Sequence, residues 1–136
     1  MREIIFRGKN KDNNFVYGDL LVIEDECSII TLSRIDWKKI QLDKIKVDPD
    51  TVGQYTGLTD KNGTKIFEGD LVYFYDPNHD DEDGVMEVIF DNCEFAISGT
   101  GIYVPLSEIY SNQIEVIGNK FDNPEMIKEN EKDEWK

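Results

Sequence analysis

The densest concentration of metal-ligand chemistry in this chain is the acidic run Asp76-Pro77-Asn78-His79-Asp80-Asp81-Glu82-Asp83. Clustered side-chain oxygens of this kind can hold a hard divalent cation, because the cation relieves their mutual repulsion. Asp76, Asn78 and Asp80 fall at positions 1, 3 and 5 of an EF-hand register, and Glu87 falls at position 12. The register then fails. Its sixth position is Asp81 rather than the glycine that the sharp turn demands, Asp83 adds an acid at the eighth, and the flanks alternate as strands do. The run therefore reads first as a solvated acidic loop, with a weak cation site as the alternative, and no metal or other cofactor is assigned.

Nucleophilic chemistry has less to work with. His79 is the only histidine and Cys93 the only thiol in the same half of the chain, so a Cys/His pair would have to recruit its base from the acidic loop. No nucleophile elbow is present. Gly57 and Gly63 precede Thr64-Lys65 in the wrong order for a phosphate-binding loop, and Gly99-Thr100-Gly101 lacks the third glycine of a dinucleotide motif. Every enzymatic template fails on its own residues, which makes a non-enzymatic protein the expectation.

One segment carries a local basic charge. Arg34, Lys38, Lys39, Lys44 and Lys46 stand against Asp36 and Asp43, a net +3, with Trp37 beside the lysines. Lysines next to an aromatic ring can grip a single nucleic-acid strand through phosphate contacts and stacking. The plainer reading makes them the solvent faces of strands, with Trp37 packed. The whole chain favours the plainer one, since 15 Lys+Arg against 29 Asp+Glu leave a net charge of −14 that repels a polyanion.

That charge is segregated. Between Ile66 and Asn119 there are twelve acidic residues and no Lys or Arg, whereas residues 1–65 carry eleven of each sign. Such a boundary points to two structural units, the second one repelled by nucleic acid and anionic membrane. Docking of the +3 segment on the acidic half of another copy would give a homo-oligomer; alternatively, the acidic face could engage a basic protein. Tyr73 and Tyr75 share a strand face opposite Val72 and Phe74. With Asp76, Asp80, Asp81, Glu82 and Asp83 they form the candidate acidic contact surface. Arg34, Trp37, Lys38, Lys39, Lys44 and Lys46 form the candidate basic one.

The elements that must position these residues are strands. Short apolar runs of period two recur between turn residues: Ile4 and Phe6, then Phe15 to Ile23 interrupted at Gly18-Asp19, then Ile29 to Leu32 and the pairs Ile40/Leu42 and Ile45/Val47. Residues 33–39 are ambiguous and could hold a helical turn. Asp60-Lys61-Asn62-Gly63 predicts a hairpin between Tyr55–Leu58 and Ile66-Phe67. After the Glu68-Gly69-Asp70 bend, Leu71 to Tyr75, Val85 to Phe90, Glu94 to Ser98, Ile102 to Leu106 and Ile114 to Ile117 make about five strands, which suits a small barrel of SH3-like type. Asn123-Pro124-Glu125 opens a short helix, and a charged tail follows. The expected architecture is all-β: an N-terminal β subdomain over 1–57, an SH3-like β-barrel over 58–122, and a short helix with tail over 123–136.

The opening MREIIFRGKN lacks the apolar core of a signal peptide, and no run approaches the roughly 18 apolar residues of a membrane span. A cytoplasmic protein is expected, one that keeps Cys27 and Cys93 as thiols.

Val52-Gly53-Gln54-Tyr55-Thr56-Gly57-Leu58-Thr59-Asp60-Lys61-Asn62-Gly63, followed by Ile66-Phe67-Glu68-Gly69-Asp70-Leu71-Val72, resembles the central signature of the YopX family of bacteriophage and prophage proteins. Arg2-Glu3-Ile4 to Phe6-Arg7-Gly8, Val16-Tyr17-Gly18, Val47-Asp48-Pro49-Asp50-Thr51 and Ile114-Glu115-Val116-Ile117-Gly118-Asn119 to Asn123-Pro124-Glu125 are similar too. The resemblance implies an all-β protein with an N-terminal unit and an SH3-like C-terminal unit, made in a bacterial host. It brings no catalytic residue or substrate. The reading that follows is a phage accessory protein without enzymatic activity, working through protein contacts and assembling with itself or with a basic host or phage protein. Nucleic-acid association through 34–46 is the second reading, and a metal-dependent enzyme built on the acidic loop is the third.

Overall fold

The computed structural model describes residues 2–75, 84–99 and 101–127. Eleven strands and several single-turn 3-10 helices make up most of it, so the all-β expectation holds. The chain divides into two compact units, Met1–Tyr55 and Thr56–Lys136.

The first unit is an antiparallel meander. Strands β1 (Phe6–Lys9), β2 (Phe15–Ile23), β3 (Glu26–Arg34) and β4 (Ile40–Val47) follow one another, and β1 also pairs with the start of β5 (Gly53–Thr59), giving the order β4-β3-β2-β1-β5. The β1–β2 turn closes on Asn10, whose Oδ1 accepts the amides of Asp12 and Asn14 at 3.0 Å each, while Asn13 takes a positive φ of 64°. β2 runs unbroken through Gly18, where the sequence suggests an interruption. The glycine is there because the Ile30 carbonyl of β3 approaches so closely that a Cβ would collide with it. Ile29 and Val47 are buried, and so are two charged residues of β1: the Arg7 guanidinium lies 4.1 Å from the Phe15 ring centre, and the Lys9 ammonium lies 4.8 Å from it.

The second unit begins within β5, which is followed in the strand order by β6 (Lys65–Phe67). A second antiparallel sheet has the order β10-β9-β8-β7-β11, from β7 (Asp70–Phe74), β8 (Gly84–Asp91), β9 (Glu94–Gly99), β10 (Ile102–Pro105) and β11 (Ile114–Asn119). Its two ends, β10 and β11, stay open among the described residues, so the strands form an open sheet rather than the closed barrel that their number suggests. The segment between those two strands is spent on 3-10 turns at Leu106–Glu108 and Ser111–Gln113 instead of on ladder pairing.

Alternation explains the core of this unit. Val72 and Phe74 of β7, Met86 and Val88 of β8, Ile97 of β9 and Ile114 of β11 point to one side and pack with Ile66, Leu106 and Ile109. Each such side chain contributes about 1.5–3 kcal/mol by leaving water. Phe90 continues the Met86/Val88 face but is 56% exposed, because β8 outruns the core; its ring meets Phe95 edge-on at 5.1 Å. The β8–β9 turn is carried by Asn92 and Cys93, both at positive φ. Residues 124–127 are helical, as Asn123-Pro124-Glu125 predicts.

Candidate interaction surface

The basic segment spans the turn and second strand of the β3–β4 hairpin, with Arg34, Trp37, Lys38 and Lys39 at its outer end. Its turn, residues 35–38, is a set of bends rather than the helical turn considered for 33–39. Asp36 builds it: Oδ1 accepts the amides of Lys38 (2.7 Å) and Lys39 (2.9 Å), and the Ile35 amide donates to the Lys39 carbonyl at 3.0 Å. Trp37 sits at the apex and is 83% exposed, so it does not pack as the plainer reading has it. The Lys38 ammonium lies 4.6 Å from its ring centre.

The hairpin also carries apolar residues on its outside. Leu32 of β3 stands opposite Leu42 of β4, and Arg34 opposite Ile40. Leu32, Leu42, Ile40 and the turn residue Ile35 are 63%, 66%, 58% and 61% exposed. Residues directly opposite in an antiparallel pair share a face, so Leu32, Leu42 and Ile40 form one apolar strip edged by Arg34. Lys44 and Lys46 continue the same face toward the far end of β4, about 14 and about 20 Å from Ile40 at the rise of an extended strand. β4 is an edge strand, so its outer backbone groups are not used within this sheet.

The signal for this strip was in the sequence, though not as exposure. Ile40 and Leu42 are even-numbered, whereas Ile45 and Val47 are odd-numbered. A strand cannot bury both pairs on one side. Ile45 pairs with the fully buried Ile29, so the odd set faces the core and the even set faces out.

On the second unit, Tyr73 is half-buried and Tyr75 is 36% exposed. Their ring centres are 4.6 Å apart, and the Lys61 ammonium lies 4.9 Å from the Tyr75 ring. Asp76, Asp80, Asp81, Glu82 and Asp83 lie outside the described residues, as does His79. Among the described residues no group of three or more His, Cys, Asp or Glu is placed to hold a metal ion. Cys27 and Cys93 are free thiols.

Two acids of the central signature have structural work. Asp60, 3% exposed, accepts the amides of Asn62 and Thr64 through Oδ1 and that of Val116 through Oδ2, each at 2.9 Å. Burial raises its pKa, but the bonds from Val116, Thr64 and Asn62 and the charge of Lys61 outweigh this and hold it below the usual 3.8. Asp70, also buried, accepts the Phe67 amide, three residues behind it in the chain, at 2.8 Å. The bend turns on Gly69 at φ 90°. Tyr103 donates its hydroxyl to Glu94 Oε2 at 2.7 Å, a bond that, with the negative charges of Glu94 and Asp91, raises the phenol above 10.

The structure thus defines a two-unit, all-β protein with open antiparallel sheets and an exposed, basic-edged apolar hairpin. The YopX family model matches residues 5–128, and the chain belongs to that family. It is similar to the crystal structure of protein EF1440 from Enterococcus faecalis, with 19% identity over 93% of this chain and 99% of that one, at a TM-score of 0.62. It is similar also to the X-ray structure of protein yopX from Bacillus subtilis, with 16% identity over 93% and 98% of the two chains, at a TM-score of 0.60. At these identities the likeness is one of fold. No curated protein matches the chain.

Proposed function

We propose that this protein is a non-enzymatic accessory factor, encoded by a phage or prophage and working in the cytoplasm of the bacterial host, that acts by protein–protein contact through the β3–β4 hairpin. The observation that carries the proposal is the exposure of Leu32, Ile35, Trp37, Ile40 and Leu42 at one hairpin end. A soluble monomer rarely leaves so many large apolar side chains together in water. Among the described residues no helix is long and apolar enough to cross a membrane.

The occupant is a second copy of the chain. The hairpin segment is net +3, and residues 66–119 carry twelve acids without a single Lys or Arg, so one copy supplies both halves of a charge-complementary contact. Phe90, Asp91, Glu94 and Tyr103 offer aromatic and acidic groups together on the second unit. Sedimentation of the whole chain tests this: the wild type should assemble at low salt and weaken at high salt, while Lys38→Glu/Lys39→Glu and Trp37→Ala/Leu42→Ser should stay monomeric. A wild type that is monomeric at low salt at every concentration would remove the proposal.

A second reading rests on Lys38 over the exposed Trp37, an arrangement that suits stacking on a base. Quenching of Trp37 fluorescence by a single-stranded oligonucleotide, absent in Trp37→Phe, would favour it. The net charge of −14 opposes it.

A further inference from the structure

At the root of the same hairpin, away from the exposed end, the first unit contains a cleft of about 770 Å3. It lies between the β1–β2 turn and the second half of β4 with the residues that follow. Its apolar lining comes from Ile45, Val47 and Pro49, and its cationic lining from Lys9, Lys11, Lys44 and Lys46. Asp12 and Asp48 also line it, leaving the lining net +2 in a chain of net −14.

The walls are held before any ligand arrives. The Asp48 amide donates to the Lys9 carbonyl at 2.9 Å, the Lys9 amide to Thr51 Oγ1 at 2.8 Å, and Thr51 Oγ1 back to the Asp48 carbonyl at 2.7 Å. These bonds lock the end of β1 to the 3-10 turn Pro49–Thr51. Val47 packs against Gly8 so tightly that a Cβ there would lie 2.7 Å from it, which keeps that apolar wall in place. Lys9 is only 4% exposed, and its ammonium donates to the Asn13 carbonyl at 3.2 Å. Asp48 is engaged as a cap, accepting the Asp50 amide through Oδ1 at 3.0 Å. Lys46 pairs with Glu26 at 3.3 Å with both side chains largely in water, an ion pair that gives way at little cost.

The geometry points to a binding site for a small phosphorylated organic molecule of nucleotide size. The volume lies within the roughly 300–1,000 Å3 of organic-ligand sites. A bare phosphate would leave Ile45 and Pro49 uncovered, and a neutral molecule would leave the exposed Lys11, Lys44 and Lys46 without a use for their charge. An anion with an apolar or aromatic body uses both.

The test is an NMR titration of the 15N-labelled full chain with AMP, adenosine, inorganic phosphate and a single-stranded oligothymidylate in separate arms. The expected result is a saturable shift of the amides of Asn10–Asp12 and Lys44–Asp48 with AMP, and weaker effects with adenosine or phosphate alone. Lys44→Gln/Lys46→Gln, both at exposed positions, should weaken AMP by at least about tenfold with its melting temperature kept. Lys38→Glu/Lys39→Glu should leave AMP binding unchanged even where it abolishes assembly, so the two proposals fail separately. Shifts that do not saturate, that persist in the Lys44/Lys46 variant, or that appear with the oligonucleotide but not with AMP would overturn the assignment.

Discussion

Asp60 and Val116, 56 residues apart in sequence, are joined by a 2.9 Å hydrogen bond from the Val116 amide to the Asp60 carboxylate. The same carboxylate closes the turn that precedes β6, so one side chain ties the β5–β6 connection to β11. Asp60→Ala strands three amides, two of them in its own turn. It should lower unfolding free energy by about 2–3 kcal/mol in urea titration.

The lowered pKa of Asp60 makes that contribution depend on pH. The folded state holds its proton less tightly than the unfolded chain, so the stabilisation is fully present above the unfolded value near 3.8 and is lost as pH falls through the lower folded value. Chemical unfolding of wild type and Asp60→Asn along an acid series should show their stability gap shrinking below about pH 4.

Exposure and burial predict opposite tolerances in two apolar sets. Leu42→Ser and Trp37→Ala change side chains that are mostly in water, and monomer stability should move by no more than about 0.5 kcal/mol. Ile97→Ala empties a fully buried site and should cost about 2–5 kcal/mol. Thermal unfolding of dilute samples separates them.

Gly18 has space for no side chain. Gly18→Ala would drive a Cβ into the Ile30 carbonyl and force β2 away from β3, at about 1–3 kcal/mol. Hydrogen exchange should then quicken at the β2–β3 ladder before it does in the second unit.

Tyr103 should ionise late. In ultraviolet titration the wild type should contain a tyrosine with a midpoint above 10 that is missing from Tyr103→Phe, and Glu94→Gln should bring it back toward 10 by removing the charge that opposes the phenolate.

Much of the architecture was legible because its causes are local. Period-two alternation marked the strands, Asn62-Gly63 and Asp91-Asn92 marked turns, and Asn123-Pro124-Glu125 marked a helix start; each depends on neighbours a few residues away. That the second sheet stays open instead of forming the expected barrel was not legible, because closure depends on whether the two end strands meet, and no local pattern in 106–113 reports that. The unbroken course of β2 through Gly18 was hidden for a similar reason: the carbonyl that requires a glycine belongs to another strand.

The candidate surfaces divide along the same line. Composition alone determined that the acidic charge is gathered between Ile66 and Asn119, with a net +3 segment before it, since charge is a property of residues wherever they lie. Tertiary structure decided which apolar side chains remain in water. Ile40/Leu42 and Ile45/Val47 look alike in one dimension, but register against β3 sets Ile45 beside the buried Ile29 and sends Leu42 out with Leu32. It also brought the lysines of β1 and β4 around one cleft, a juxtaposition across more than thirty residues that only the folded sheet creates.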